Sequence, residues 1–343
     1  MPKIENKTCA ITVTYGNRWG LVSQVIERLR SLKFISHIVV VNNGSTYNVK
    51  EKIDEIGDNR VVLIDHAENL GSAGGYHDGI AYAHQHLDDD FVWLLDDDNL
   101  PDSDALNVLL NTWVDLDAKG DTTALFSLRT DREVDSKFAQ GADPYKYYLI
   151  PDDFLGFSFL KIGRNKLAKI AKKFKRSEDS SNPKTIAPKI KMPYVPYGGF
   201  FLHRQMIDKI GYPDERFYLY VDDEEYTYRV TQSGGTIWLI PASKISDIDT
   251  ADVRADYKPS PFSSNYLDLW SFRMYYRVRN SIYFHHKTSL KNALVFNINK
   301  VLFIGKLKVL SVLSSKQKEY KNFLVAVNDG LNGNLGKANP EKF

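Results

Sequence analysis

Apolar residues recur along this chain in two alternating periods. Ala10–Thr14, His37–Val41, Arg60–Ile64, Phe91–Leu95 and Thr123–Ser127 are short runs rich in β-branched and aromatic residues, as buried strands require. Between them, Trp19–Leu32 places Leu21, Val25, Ile26 and Leu29 on one helical face, and Gly74–His86 and Ser103–Leu116 also read as helices. Strand and helix alternating over residues 1–127 predict βαβ units, a mostly parallel α/β sheet and right-handed crossovers. The alternation lapses across 128–192. There, residues 161–191 hold Lys-Lys-Phe-Lys-Arg and Ser-Glu-Asp-Ser-Ser-Asn-Pro, which predict a variable, mobile basic insertion. Order resumes over 193–285, where Arg204–Ile210 and Asp222–Thr231 read as helices.

Residues 286–343 form a separate helical region. Leu294, Ile298, Val301, Leu302, Val309 and Leu313 recur at near-helical spacing, with Lys291, Lys300, Lys306 and Lys308 between them. Two readings stand. One is an amphipathic helix lying on an anionic membrane surface. The other is a helix packed on the preceding domain or on a second subunit of a homo-oligomer, lysines to water.

Composition narrows the classes. The 343 residues suffice for one large domain or two moderate ones, and 43% hydrophobic content supports a packed core. With 45 basic against 43 acidic residues the net charge is +2, so nothing global favours nucleic acid as a partner. Cys9 stands alone, which excludes an internal disulfide and a cysteine-based zinc site, and its strand position suits a small buried residue. The first residues lack the apolar core of a signal peptide, and no uncharged apolar run reaches the roughly 18 residues of a spanning helix. The expected location is cytoplasmic, peripheral at the inner face of the plasma membrane.

The candidate chemistry sits where strands end. Phe91-Val-Trp-Leu-Leu empties into Asp96, Asp97 and Asp98, followed by Asn99-Leu100-Pro101, with Pro101 marking the strand's stop ahead of a helix. Adjacent carboxylates repel, so a strand end gains little stability from three of them. A divalent cation shared with a diphosphate would account for them, since Mg²⁺ and Mn²⁺ favour carboxylate and phosphate oxygens. A solvated turn whose aspartates cap the next helix is the plainer reading. Three more segments end strands on the same rim: Thr14-Tyr-Gly-Asn-Arg18, Asn42-Asn-Gly-Ser45 and Asn69-Leu-Gly-Ser-Ala-Gly-Gly75. Gly71, Gly74 and Gly75 would admit a ligand close to backbone, and the helix they open would offer amides to an anion. A dinucleotide fingerprint belongs in the first βα turn, where the chain has no glycine cluster, and no P-loop is present. A second acidic cluster, Asp222-Asp-Glu-Glu225, opens a helix. An ionised Asp222 or Asp223 there would be positioned to accept a proton from a hydroxyl, while Glu225 and Arg229 pair at i,i+4. His66, His77, His84 and His86 read as structural or exposed rather than as ligands.

In order, Thr-Tyr-Gly-Asn-Arg, Asn-Asn-Gly-Ser, Asn-Leu-Gly-Ser-Ala-Gly-Gly, Leu-Asp-Asp-Asp, Gly-Gly-Phe-Phe and Asp-Asp-Glu-Glu-Tyr resemble the family 2 glycosyltransferases of the GT-A fold. The similarity runs from about residue 8 to 285 and is nearest the bacterial rhamnosyl- and galactofuranosyltransferases. It implies an inverting transfer of a sugar, galactofuranose or rhamnose, from a UDP or dTDP donor. The acceptor would be a glycan or lipid-linked glycan in cell-surface polysaccharide synthesis. It implies Asp96 and Asp98 as ligands of Mn²⁺ or Mg²⁺ and Asp223 as catalytic base. Thr14, Arg18, Asn42, Asn43, Asn69, Gly71, Gly74 and Asp97 would border the donor, and Tyr197, Gly198, Gly199, Phe200 and Asp222 the acceptor. Arg279-Asn280 resembles a family element beyond the catalytic core. Two positions depart from the pattern. Asn42 stands where the family often has aspartate, and 243–249 lacks the further metal-ligating histidine, for which Asp247 is the oxygen substitute. Two other readings remain open on the residues alone: a nucleotidyltransferase, which would release pyrophosphate, and a sugar-nucleotide-binding module without turnover.

Overall fold

The computed structural model describes residues 7–161, 186–249 and 262–343. Most of the expected basic insertion, residues 162–185, lies outside the described residues. The described chain forms two compact units, one from 7–144 and 186–249, the other from 145–161 and 262–343.

In the first unit, strands β1 (Thr8–Gly16), β2 (Ile35–Ser45), β3 (Val61–His66) and β4 (Phe91–Asp96) alternate with helices α1 (Trp19–Ser31), α2 (Val49–Ile56) and α3 (Gly71–His86). Strand β5 (Asn99–Pro101), helix α4 (Ala105–Asp115), strand β6 (Thr123–Arg129) and helix α5 (Glu133–Ala139) follow. Strands β7 (Ile190–Met192) and β8 (Phe200–His203), helices α6 (Arg204–Ile210) and α7 (Asp222–Gln232), and strand β9 (Thr236–Asp247) complete it. The helical period in α1 buries Val22, Val25, Ile26 and Leu29 against the sheet, each worth about 1.5–3 kcal/mol. Helix α2 exposes most of its surface and buries only Val49 and Ile53, so the sequence pattern passed it over. Its start is capped by the Asn48 side chain and its end by Gly57 at φ 63°.

The nine-stranded sheet runs β3-β2-β1-β4-β8-β6-β9-β5, with β7 pairing on β9. Strands β1 to β4 pair in parallel and β6 with β9 likewise; β8, β7 and β5 join antiparallel. The parallel pairs carry most of the ladder. Asn42 to Ser45 lie inside the end of β2 rather than beyond it, and Pro101 closes the edge strand β5, where a missing amide breaks no inner ladder. The register of β6 on β9 jumps from Ser127–Ile240 to Leu128–Lys244. Pro241 sits in that skipped stretch, as a residue without a ladder donor must. Beyond the bulge, Asp247 lands opposite Asn99. The bulge therefore delivers Asp247 to the aspartate turn.

The second unit is helical: α8 (Asn265–Asp268), α9 (Phe272–Thr288), α10 (Ala293–Leu313) and α11 (Gln317–Asn332). It begins well before residue 286, because α9 packs on α11, with Tyr275 Oη donating to Asp329 at 2.6 Å. Arg279 is buried beneath the Tyr276 ring, donating to Asn280 and to the Gly336 carbonyl. Arg279 and Asn280 thus serve this unit's core. Asp152 accepts the amides of Lys291 and Asn292 and fixes the start of α10. On α10, Phe296, Asn299, Leu307 and Ser311 face inward, whereas Leu294, Ile298, Val301, Leu302, Val309 and Leu313 are exposed. No helix among the described residues is long and apolar enough to cross a membrane.

Candidate active site

The aspartate turn after β4 is cross-braced by two arginines. Asp97 is buried, accepting from Thr14 Oγ1 at 2.9 Å and from Arg18 Nε at 2.9 and 3.0 Å. Arg18 Nη2 donates to Asp98 Oδ2 at 2.6 Å, and Arg18 Nη1 to Asp249 Oδ2 at 2.7 Å. Arg129, buried at the end of β6, forks onto Asp131 and lies 3.5 Å from both Asp96 and Asp247. Asp96 Oδ1 accepts from Tyr76 Oη at 2.9 Å. Burial, then the charges of Asp96, Asp247 and Asp97, push the Asp98 carboxyl up to about 7 against the pull of Arg18. Burial also raises Asp97 and Asp247.

The donor set suits a hard cation. Asp96, Asp98 and Asp247 supply only carboxylate oxygens, and their side chains keep 42%, 16% and 31% exposure. Gly198 leaves the space open, since a Cβ there would stand 2.7 Å from Asp96 Oδ2 and 2.0 Å from Asn99 Oδ1. The ligand atoms of these three carboxylates do not all lie within 4.8 Å of one another, and each is in contact with Arg18 or Arg129. Among the described residues, the trio with ligand atoms all within 4.8 Å of one another is His77, Asp78 and Glu215 on the surface. There His77 Nδ1 also lies 2.9 Å from the Pro213 carbonyl oxygen.

The second acidic pair opens α7. Tyr218, Tyr220 and Val221 all carry φ between 63° and 66°, a run of left-handed side-chain-bearing residues that stores strain at the helix entrance. Asp222 is buried with no partner for Oδ2, and the buried Tyr197 hydroxyl also lacks one. Burial, then the charge of Asp223, lifts the Asp222 carboxyl well above the usual range. Asp223 is raised too, chiefly by burial, with Arg132 pulling it down and Asp96 pushing it up. Burial therefore outweighs the helix's positive end. Both carboxyls of the pair are raised, so each holds its proton to higher pH than an ordinary carboxylate.

Residues 9–158 match the family model described as Glycosyl transferase family 2. Over those residues the chain is similar to the family 2 glycosyltransferases. GlfT1 of Mycolicibacterium smegmatis, a galactofuranosyltransferase, is 26% identical over 229 residues, spanning 66% of this chain and 66% of that protein, just under two thirds of its length. Among solved structures, GalNAc-T7 with UDP, GalNAc and Mn²⁺ has a TM-score of 0.50 at 15% identity, over 70% of this chain and 43% of its own. That likeness shows the GT-A fold. S. aureus TarS 1-349 in complex with UDP-GlcNAc has a TM-score of 0.48 at 12% identity, over 95% of this chain and 92% of its own.

Several expected roles shift once side chains are placed. Gly71 (φ 77°) is required by protein, not ligand: a Cβ would lie 1.8 Å from the Tyr218 carbonyl oxygen. Gly74 and Gly75 pack against Leu70 and Val13. The amides of Leu70, Gly71 and Ala73 already bond to Asn43, Asn69 and Tyr218, so they are not spare donors for an anion. Thr14, Asn43 and Asp97 are buried and act by fixing neighbours. Asn42 donates to Asp65 Oδ1 at 2.6 Å. On the expected acceptor side, Phe200 is in the core of β8, Gly199 donates to the Leu94 carbonyl, and Gly198 faces Asp96 and Asn99. The Tyr197 ring packs tilted by 34° against Tyr76, centroids 4.0 Å apart, and the charge of Asp222 acts on its hydroxyl. His66 pairs with Asp78 and His84 with Asp208. Arg129, Tyr76 and Asp249 are the residues the motif reading missed. A charge ending the apolar strand Ala-Leu-Phe-Ser-Leu-Arg129 was the one available signal.

Proposed function

We propose that the chain transfers a sugar, with inversion, from a nucleoside-diphosphate donor to a hydroxyl of a glycan or lipid-linked glycan in cell-surface polysaccharide synthesis. The observation carrying this reading is geometric. Tyr76 donates its hydroxyl to Asp96 at 2.9 Å while its ring lies 4.0 Å from that of Tyr197. Tyr197 in turn lies close enough to Asp222 and Asp223 for their charges to raise its hydroxyl, which supports one space shared by the aspartate turn and the head of α7. The acceptor oxygen attacks the anomeric carbon as the bond to the diphosphate oxygen breaks, and the hydroxyl proton passes to the Asp223 carboxylate. Asp96, Asp98 and Asp247 would hold Mn²⁺ or Mg²⁺, which neutralises charge on the departing diphosphate. Asp222, raised by burial and by the charge of Asp223, would serve as a hydrogen-bonding neighbour of the base, beside the tilted ring pair of Tyr76 and Tyr197. The galactofuranosyltransferase activity in the name of GlfT1 supports galactofuranose as the sugar, with rhamnose second and UDP or dTDP as carrier.

The direct test is nucleoside diphosphate release from a panel of UDP- and dTDP-sugars with Mn²⁺ and a lipid-linked acceptor. Asp223→Asn should lower kcat by about 10²–10⁴-fold while leaving nucleotide affinity near normal. Pyrophosphate release, or an unchanged rate in that variant, refutes the reading. We further propose that α10 lies on an anionic membrane face, its exposed Leu294, Val301 and Val309 entering the interface beside Lys306 and Lys308. Cosedimentation with phosphatidylglycerol vesicles but not with phosphatidylcholine is expected, and equal recovery from both refutes it.

A further inference from the structure

The guanidinium of Arg18 does more than border a nucleotide. It reaches three carboxylates at once: Asp97 through Nε, Asp98 through Nη2 and Asp249 through Nη1, in bonds of 2.6–3.0 Å. Its side chain is only 18% exposed, and the acids hold its proton more firmly than usual even though burial opposes them. It ties together the ends of β1, β4 and β9. Both oxygens of Asp98 are already engaged, Oδ2 by Arg18 and Oδ1 by Asn99 Nδ2 at 3.0 Å. A cation arriving at Asp98 must therefore compete with a charge already seated there.

We propose that Arg18 is an internal counter-cation that exchanges places with the divalent metal. In the metal-free protein it neutralises Asp98. When metal binds, its guanidinium leaves Asp98 and pairs with the donor diphosphate, whose oxygens match its planar fork. The inference rests on the reading of Asp96 and Asp98 as metal ligands. It explains why Asp96, Asp98 and Asp247 are not gathered into a closed cage, and it makes metal and donor bind cooperatively. One competing charge-assisted bond of ordinary strength corresponds to roughly 10- to 100-fold in affinity.

The test titrates Mn²⁺ into the full chain, by calorimetry and by the Mn²⁺ electron-spin signal, with and without UDP. Arg18→Gln should bind Mn²⁺ without UDP roughly 10- to 100-fold more tightly than the parent. Arg18→Lys should fall between the two, because the charge stays but the three-way fork is lost. The gain in Mn²⁺ affinity that UDP gives the parent should shrink in Arg18→Gln. Its melting temperature should drop without metal and recover when Mn²⁺ is saturating, which shows that the variant folds. Equal or weaker Mn²⁺ binding in Arg18→Gln, with Asp98→Asn abolishing binding, overturns the exchange and leaves the metal corner standing. No Mn²⁺ binding to the parent or to Arg18→Gln, even with UDP, overturns both.

Discussion

Replacing Gly71 by alanine tests whether the proposed base, Asp223, is positioned by the first turn of α3. The new Cβ would stand 1.8 Å from the Tyr218 carbonyl oxygen and 2.5 Å from its carbon, both backbone atoms that cannot rotate away. Three costs add. Holding alanine at φ 77° costs about 1–2 kcal/mol. Overpacking that forces a backbone shift costs about 1–3 kcal/mol. Separating the turn from Tyr218 weakens the bond from the Ala73 amide to the Tyr218 carbonyl, worth about 0.5–1.5 kcal/mol. Roughly 2.5–6.5 kcal/mol is expected overall, or about 5–26 °C in melting temperature for a unit of this size. The displaced segment is the strained run Tyr218–Val221 that leads into Asp222 and Asp223, so kcat should fall with donor affinity less affected. Gly16→Ala is the control: its φ of 58° is equally left-handed, yet nothing lies within 4 Å of the added carbon. It should lose only about 1–2 kcal/mol. Calorimetry and donor-hydrolysis kinetics on both variants decide. If Gly71→Ala is no less stable than Gly16→Ala and turns over normally, the packing argument is wrong.

Asp135 is buried with an unpartnered Oδ2, and burial pushes its carboxyl up to about 6 from the usual 3.8. A raised carboxyl binds more protons folded than unfolded, so its contribution falls as pH climbs from about 4 to 6 and is level above. Asp135→Asn should therefore stabilise the protein by up to about 3 kcal/mol at pH 8 and scarcely at all at pH 4, read from urea midpoints at the two pH values; a gain equal at both refutes the assignment. Tyr76→Phe removes the hydroxyl that bonds Asp96 and the Leu95 carbonyl but keeps the stack on Tyr197. A stability loss of about 1 kcal/mol is expected, with a change in Mn²⁺ affinity measured by titration, and unchanged metal binding would show that Asp96 needs no such brace. Arg279→Ala leaves the Asn280 side-chain oxygen and the Gly336 carbonyl without their partner, so about 1–3 kcal/mol should be lost for each that stays dry, read in melting, with donor binding intact.

The order of chemistry along the chain was legible without coordinates, because it follows from local rules. Apolar runs such as Phe91–Leu95 must be buried strands whose ends lie on one rim of a parallel sheet, where the Asp96–Asp98 turn is found, and the run Asp222-Asp-Glu-Glu read as a helix start, as it is. The helical spacing of α1 and α10 was equally readable, since a period of 3.6 is written in neighbouring residues. What sequence could not supply are contacts between residues far apart in the chain. Arg18 meets Asp249, Arg129 meets Asp96, and Gly71 meets Tyr218 only because the sheet order brings β1, β4, β6 and β9 together. The bulge at Pro241 then decides that Asp247 reaches the aspartate turn. Whether a glycine cradles a ligand or a carbonyl, and whether an acid faces a metal or an arginine, depends on distances of a few ångströms across the fold. Those distances are set by packing, which no local pattern encodes.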